Sequence, residues 1–232
     1  MSDPLLSLRQ VTYAYRSRRR TEAVLHGIDL DIEAGAFVSL VGPSGSGKTT
    51  LLNLMGLLER PTSGTIHFEG RDVGAMKDRA RAALAREAIA FVFQAYHLLG
   101  DLTVADNVAE PLRYQKVPAD ERAARAADAL KRFGLQDKAH RYPTELSGGQ
   151  QQLVGVARAI AARPRLLLAD EPTGNLHSSQ GEVVMESLRT AHEDDGVTVV
   201  HVTHSDRWVA YGARTVELLD GHVLRDSVHH AS

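Results

Sequence analysis

At 232 residues the chain can build one sizeable hydrophobic core, and its 43% apolar and 24% charged residues exclude a disordered chain, a collagen-like repeat and a pure coiled coil. Its 27 Lys and Arg against 29 Asp and Glu leave a net charge of −2, without the positive surplus that gripping a phosphate backbone requires, so nucleic acid is not an expected partner. No Cys is present, which excludes disulfides and thiolate metal sites. The longest apolar stretches, such as Leu51 to Leu58, fall short of the ~18 residues a membrane-spanning helix needs. The start, MSDPLLSLRQ, lacks the pattern of an export signal, so a cytoplasmic location is expected.

In chain order, apolar and polar positions first alternate through Leu6, Leu8 and Val11 and again through Ile28, Leu30 and Ile32, which predicts two half-buried antiparallel strands. Between them, Arg16 to Glu22 (RSRRRTE) reads as a solvated loop. Phe37 to Gly42 is an apolar run ending in glycine, as in a strand buried on both faces. Further buried strands are expected at Ile89 to Phe93, Leu166 to Ala169 and Val197 to Val202. Strands of this kind separated by helical patterns argue for an α/β fold with a mainly parallel core sheet. The Ala-, Arg- and Glu-rich region from Met76 to Glu145 reads as a mostly helical insert. There Ala123, Ala127, Leu130 and Phe133 are expected on one inward face, with Gly134 as the stop. Near the end of the chain, Asp220 and Gly221 sit between two alternating segments, a strong hairpin signal.

Three motifs carry chemistry. Gly42-Pro43-Ser44-Gly45-Ser46-Gly47-Lys48-Thr49 fits the phosphate-binding pattern G-x-x-x-x-G-K-[ST], placed after a predicted strand and before a predicted helix. Glycines let backbone N–H groups turn inward around an anion, the helix adds its positive end, Lys48 reaches the outer phosphates, and the Thr49 hydroxyl can ligate Mg²⁺. The second motif ends the strand RLLLADE: Asp170 as a metal ligand, and Glu171 as the base that polarises an attacking water. The third is Leu146-Ser147-Gly148-Gly149-Gln150 opening a helix that Pro164 stops. From the residues alone, this second helix N-terminus either caps its own helix or serves a nucleotide held by another subunit.

Together these motifs resemble the ATP-binding cassette of ABC transporters from about Leu5 to Asp226. GPSGSGKT resembles Walker A, FVFQ the Q-loop, LSGGQ the signature, LLLADE Walker B, GNLH the D-loop, and VTHSD the switch histidine segment. The resemblance implies one cassette domain over residues 1–232, with an N-terminal antiparallel β subdomain, a helical subdomain over about 95–160 and a C-terminal hairpin over about 214–226. It implies catalytic roles for Glu171, His204 and Gln94, and Mg²⁺ bound by Thr49, Gln94 and Asp170. ATP would be bound by Tyr15, Gly42, Pro43, Ser44, Gly45, Ser46, Gly47, Lys48, Thr49 and Thr50. Ser147, Gly148, Gly149 and Gln150 of a second copy would complete that site across a head-to-tail dimer. It further implies membrane permease subunits as partners, reached through contacts at Gln94, and hence a peripheral position at the inner face of the membrane.

The combination of FVFQ, LTVADNV, LADEPTGNL and PTSG is most similar to the lipoprotein-releasing and macrolide-efflux branch, and it also fits cell-division and peptide-resistance members. Two positions depart from the family pattern. His177 stands where the D-loop has Asp, which puts coupling between the two sites in doubt and leaves room for a nucleotide-gated regulator with weak turnover. Leu153 stands where the signature helix has Arg. A translation- or repair-type cassette would need a second cassette or a long coiled coil, and a small-molecule kinase would account for neither LSGGQ nor GNLH. The residues do not identify the transported molecule. His229 and His230 read as a solvated tail.

Overall fold

A computed structural model describes residues 3–16, 21–174 and 176–229, with Arg16 described in its backbone alone. In chain order the elements are β1 (Leu6–Arg16), β2 (Thr21–Ile32), β3 (Phe37–Val41), α1 (Lys48–Met55), β4 (Ser63–Phe68), β5 (Arg71–Asp72), α2 (Asp78–Ala88), β6 (Ile89–Val92), α3 (Val104–Tyr114) and α4 (Ala119–Arg132). They continue with α5 (Gly148–Ala161), β7 (Leu166–Asp170), α6 (Ser178–Glu193), β8 (Thr198–Val202), α7 (Asp206–Val209), β9 (Arg214–Leu219) and β10 (His222–Val228). These elements gather into two compact units. One is formed by the described residues up to Ala85 together with those from Thr198 onward, the other by Arg86–Val197.

In the first unit, β1 pairs antiparallel with β2 and with β4, and β5 extends this sheet. The expected alternation holds, with Leu6, Leu8, Val11, Ile28, Leu30 and Ile32 all buried. The three-residue step from Leu8 to Val11 breaks the period of two. A bulge there, with Gln10 at φ 48, absorbs the extra residue and keeps both side chains inside. The loop expected over Arg16 to Glu22 is shorter than the composition suggested. Arg16 pairs with Thr21 and Tyr15 with Glu22, while residues 17–20 lie outside the described residues. Arginines and threonine sit comfortably at the ends of long exposed strands, so polarity alone misplaced the boundary.

The same unit holds β3 running parallel to β8 on one side and to β9 on the other. Antiparallel β10 closes the hairpin expected at Asp220 and Gly221, whose φ values of 46 and 75 are those the turn needs. His229 follows the last strand and is exposed, as a solvated end would be, but it is anchored: its N–H donates to Ala213 O at 2.6 Å and its ring lies 2.8 Å from Thr215 Oγ1. His230 lies outside the described residues. Inside this unit Ser39 and His201 are fully buried as a pair. Ser39 Oγ donates to Val209 O at 2.9 Å and accepts from His201 Nε2 at 2.7 Å. Burial pushes the His201 ring down to about 4.

In the second unit β6 and β7 pair in parallel, from Ile89↔Leu166 to Val92↔Ala169, and α3, α4 and α5 pack on one another. Thr103 caps α3, and one turn in, the buried Asn107 amide bonds Leu99, Leu102 and Thr103 backbone groups, fixing the preceding loop. The inward face of α4 differs from expectation: Ala123 and Ala127 are exposed, and Ala126, Ala129, Leu130 and Phe133 are buried. Alanine is accepted on either face, so only the large residues orient the helix. Phe133 lies seven residues from Ala126, on one stripe with it, and turns that side inward.

Candidate functional site

The first unit contributes a glycine-rich loop around Lys48. Chain leaving β3 at Val41 turns through Gly42, Gly45 and Gly47, at φ 147, 81 and 100, before α1 begins at Lys48. Gly42 cannot be replaced: a Cβ there would lie 2.1 Å from the Leu218 carbonyl oxygen and 2.9 Å from Ser46 Oγ. The Lys48 ammonium lies inside the loop, donating to Gly42 O at 2.9 Å, Pro43 O at 2.7 Å and Ser46 Oγ at 3.4 Å. With Lys48 buried at the loop centre, an amino group and the first N–H groups of α1 converge on one small space, which suits a polyphosphate.

Two more predicted residues share this unit. Tyr15 is half exposed, packs edge-on to Tyr13 at 5.0 Å, and its hydroxyl lies 3.2 Å from Thr50 Oγ1, so an open aromatic face stands beside α1. Leu40 pairs with Val202, and Gly42 and His204 each follow by two residues. The loop and His204 therefore leave the sheet at the same edge, the carboxyl ends of parallel strands, where α/β proteins place ligands. His204 is exposed there.

The second unit repeats this logic. Val92 pairs with Ala169, so Gln94 and Glu171 each lie two residues beyond a paired position on one strand edge. Asp170 is the last residue of β7, and Glu171 takes a left-handed backbone at φ 46 that swings the chain round so that Gly174 N–H donates to its carbonyl at 3.0 Å. A Cβ built on Gly174 would lie 3.1 Å from Gln94 Nε2 and 3.4 Å from Glu171 Oε2. Both polar heads thus gather over this glycine, and the structure brings together the amide and carboxylate that the sequence placed 77 residues apart.

At the signature, Ser147 Oγ accepts from Gln150 N–H at 3.4 Å and Gln150 Oε1 from Ser147 N–H at 3.1 Å, a capping box at the start of α5. The N–H groups of Gly148 and Gly149 are the first two of the helix, which no helix can bond internally. Both glycines also serve close approach: a Cβ would meet Tyr96 Oη at 2.7 Å from Gly148 and Gln180 Nε2 at 2.1 Å from Gly149. Leu153 is buried on α5. His177 is the N-cap of α6, and its side chain makes no capping bond. Asn175 lies outside the described residues.

The motifs did not reveal two side chains that hold this unit together, the buried Gln152 and the half-buried Arg158. Arg158 on α5 donates to His97 O at 2.7 Å and to Tyr96 O at 3.1 Å, shaping the segment after Gln94. Gln152 Nε2 donates to Phe93 O at 3.2 Å and to Pro172 O at 2.9 Å. A polar residue at an inward position of an otherwise apolar helix was the available signal for Gln152. Beside Gln94, Phe91, Phe93, His97, Pro111 and Tyr114 line a cavity of about 370 Å³.

Comparison with known proteins places these features. The ABC transporter family model matches residues 25–174. The chain is 45% identical over 222 residues to the lipoprotein-releasing system ATP-binding protein LolD of Geobacter metallireducens, covering 96% of this chain and 99% of that one. It is 46% identical over 223 residues to the macrolide export ATP-binding/permease protein MacB of Azoarcus sp., covering 96% of this chain. The chain spans only about a third, 34%, of that relative's length. Among solved structures it is similar to the dimeric ATP-binding cassette MJ0796 in a post-hydrolysis state bound to ADP and Pi, with a TM-score of 0.91, 38% identity, and coverage of 98% of this chain and 100% of that one. The fold is accordingly an α/β ATP-binding cassette, with parallel strands, an antiparallel sheet and helices. On a family match spanning most of its length and relatives at 45% identity across nearly all of it, the chain belongs to the ABC transporter family.

Proposed function

We propose that the chain is the ATP-hydrolysing subunit of an ABC transporter, which dimerises around two ATP molecules and drives conformational change in separate membrane permease subunits of the lipoprotein-releasing or macrolide-efflux type. The observation that carries this reading is the loop around Lys48, whose ammonium and converging helix N-terminus are built for the β- and γ-phosphates. Residues 1–232 act as one cassette, with the helices of 95–160 as its helical subdomain. The adenine ring stacks on Tyr15, and the loop from Gly42 to Thr50 holds the phosphates. Ser147, Gly148, Gly149 and Gln150 of a second copy add donors to the γ-phosphate, so ATP joins the two chains and its hydrolysis releases them.

In the reaction, water attacks the γ-phosphorus while the bond to the β–γ bridging oxygen breaks. Glu171 accepts a hydrogen bond from that water and orients it, and Gln94 and His204 position the water and the γ-phosphate. The Thr49 hydroxyl, Asp170 carboxylate and Gln94 carbonyl are the residues that would hold Mg²⁺, each a hard oxygen donor of the kind that ion takes. When bound, that ion supplies charge neutralisation on the β- and γ-phosphates. The cavity flanking Gln94 receives the permease, which links turnover to membrane-side movement. Among the described residues no helix is long and apolar enough to cross a membrane, and the chain sits at the inner face of the membrane through the permease.

Steady-state ATPase measurement on wild type and Lys48→Ala tests this reading. Turnover in the wild type and its loss by roughly a hundredfold in the variant are expected, since the variant removes the buried ammonium at the phosphate. A wild type that binds no ATP contradicts it. The uncapped His177 favours a second reading, a nucleotide-gated regulator, which the same assay separates: ATP-dependent dimers with negligible turnover.

A further inference from the structure

We propose that Gln152 is a positioning residue that couples the signature helix to the catalytic groups of its own chain, an inference that rests on the ATPase reading above. Gln152 is 1% exposed and sits one turn inside α5, the helix whose first residues are offered to the nucleotide of the other copy. Its side-chain amide donates in two directions, to Phe93 O at 3.2 Å and to Pro172 O at 2.9 Å. Phe93 immediately precedes Gln94, and Pro172 immediately follows Glu171. One NH₂ group therefore fastens together the peptides carrying the two polar heads that meet over Gly174, and fastens both to the signature helix.

Chemistry argues that Gln152 serves more than packing. Two carbonyl acceptors demand the NH₂ end, so the amide orientation is set by its partners. That leaves Oε1 buried with no hydrogen-bond partner among the described residues. An orphaned buried acceptor is costly, and an apolar side chain of similar volume would remove it. Retaining glutamine makes sense where its two donors hold something that must not drift. A shift of α5 when a second copy grips the γ-phosphate is then passed, through a single rigid amide, to the backbones that aim Gln94 and Glu171. The Lys48 loop has no part in this junction.

The test uses the full chain with Gln152→Leu and Gln152→Glu, measuring ATP affinity with a fluorescent ATP analogue, ATPase turnover and melting temperature. Expected is a split: affinity within twofold of wild type and kcat reduced at least tenfold in Gln152→Leu, with a greater loss in Gln152→Glu, whose carboxylate faces two carbonyls. A folded Gln152→Leu with kcat within twofold of wild type overturns the proposal, and so does a parallel loss of affinity and kcat. Wild-type inactivity overturns the ATPase reading itself, a result distinct from either. Should neither variant fold, the side-chain amide resonances of wild-type Gln152, assigned through their contacts to Phe93 and Pro172, decide the matter. They must shift between the ADP-bound protein and the protein bound to magnesium and a non-hydrolysable ATP analogue, and unchanged resonances overturn the proposal.

Discussion

Acidification from pH 7 to pH 4 should destabilise this protein, and one buried side chain carries a separable part of that loss. His201 is wholly buried on β8, and its ring lies edge-on to Phe37 at 5.4 Å, with Ser39 as its hydrogen-bond partner. Its Nε2–H donates to Ser39, so protonation would fall on Nδ1, which is buried without a partner among the described residues. Burial pushes the ring from 6.5 down to about 4, so below 6.5 the unfolded chain takes up a proton that the folded chain refuses. The stability that His201 contributes is therefore complete above pH 6.5 and falls as pH drops toward 4. At about 1.4 kcal/mol per tenfold change in proton affinity, the loss reaches about 3 kcal/mol at pH 4. Urea denaturation at intervals across that window, on wild type and His201→Leu, measures it. The variant keeps the Ser39 bond to Val209 and removes the titrating group, so its stability should decline by about 3 kcal/mol less over the same window. Parallel pH profiles for the two proteins would refute the reasoning.

Two further substitutions probe the site's supports. Gly221 N–H donates to Ser46 O at 3.1 Å, which turns the Gly47 N–H of the same trans peptide toward the loop interior. A Cβ on Gly221 would lie 2.2 Å from Val24 O at φ 75, so Gly221→Ala should displace the hairpin and weaken ATP binding by roughly tenfold by calorimetry, and unchanged affinity would count against that support. His177→Asp should place an acceptor at the N-terminus of α6 and raise unfolding free energy by about 1 kcal/mol, read as a higher urea midpoint. A lower midpoint would show that the imidazole supplies something the cap does not.

The turn from Gly42 to Lys48 was legible from sequence because such a turn demands glycines at fixed spacing, and Gly42, Gly45 and Gly47 all take positive φ. The Asp220-Gly221 turn was legible for the same reason. Gln94 and Glu171 could be named from their motifs, but their meeting over Gly174 depends on the parallel register of β6 and β7, which nothing local encodes. The face of α4 was obscured because alanines lack directional preference. Gln152, Arg158 and His201 look unremarkable as letters, and only their surroundings in the fold turn them into a clamp, a brace and a pH-sensitive base. The bulge at Gln10 escaped because a slip of one residue in an alternating pattern can be read as noise.

The central claim is that ATP is held between two copies, with the loop around Lys48 from one and the helix start at Ser147 from the other. Glu171→Gln keeps the backbone and size of the side chain proposed to orient the attacking water while removing its charge, so bound ATP should persist. Light scattering on a sizing column should then find a monomer without nucleotide and a dimer of two chains with two ATP at saturating magnesium and ATP. A protein that carries bound ATP and still elutes as a monomer would contradict the account.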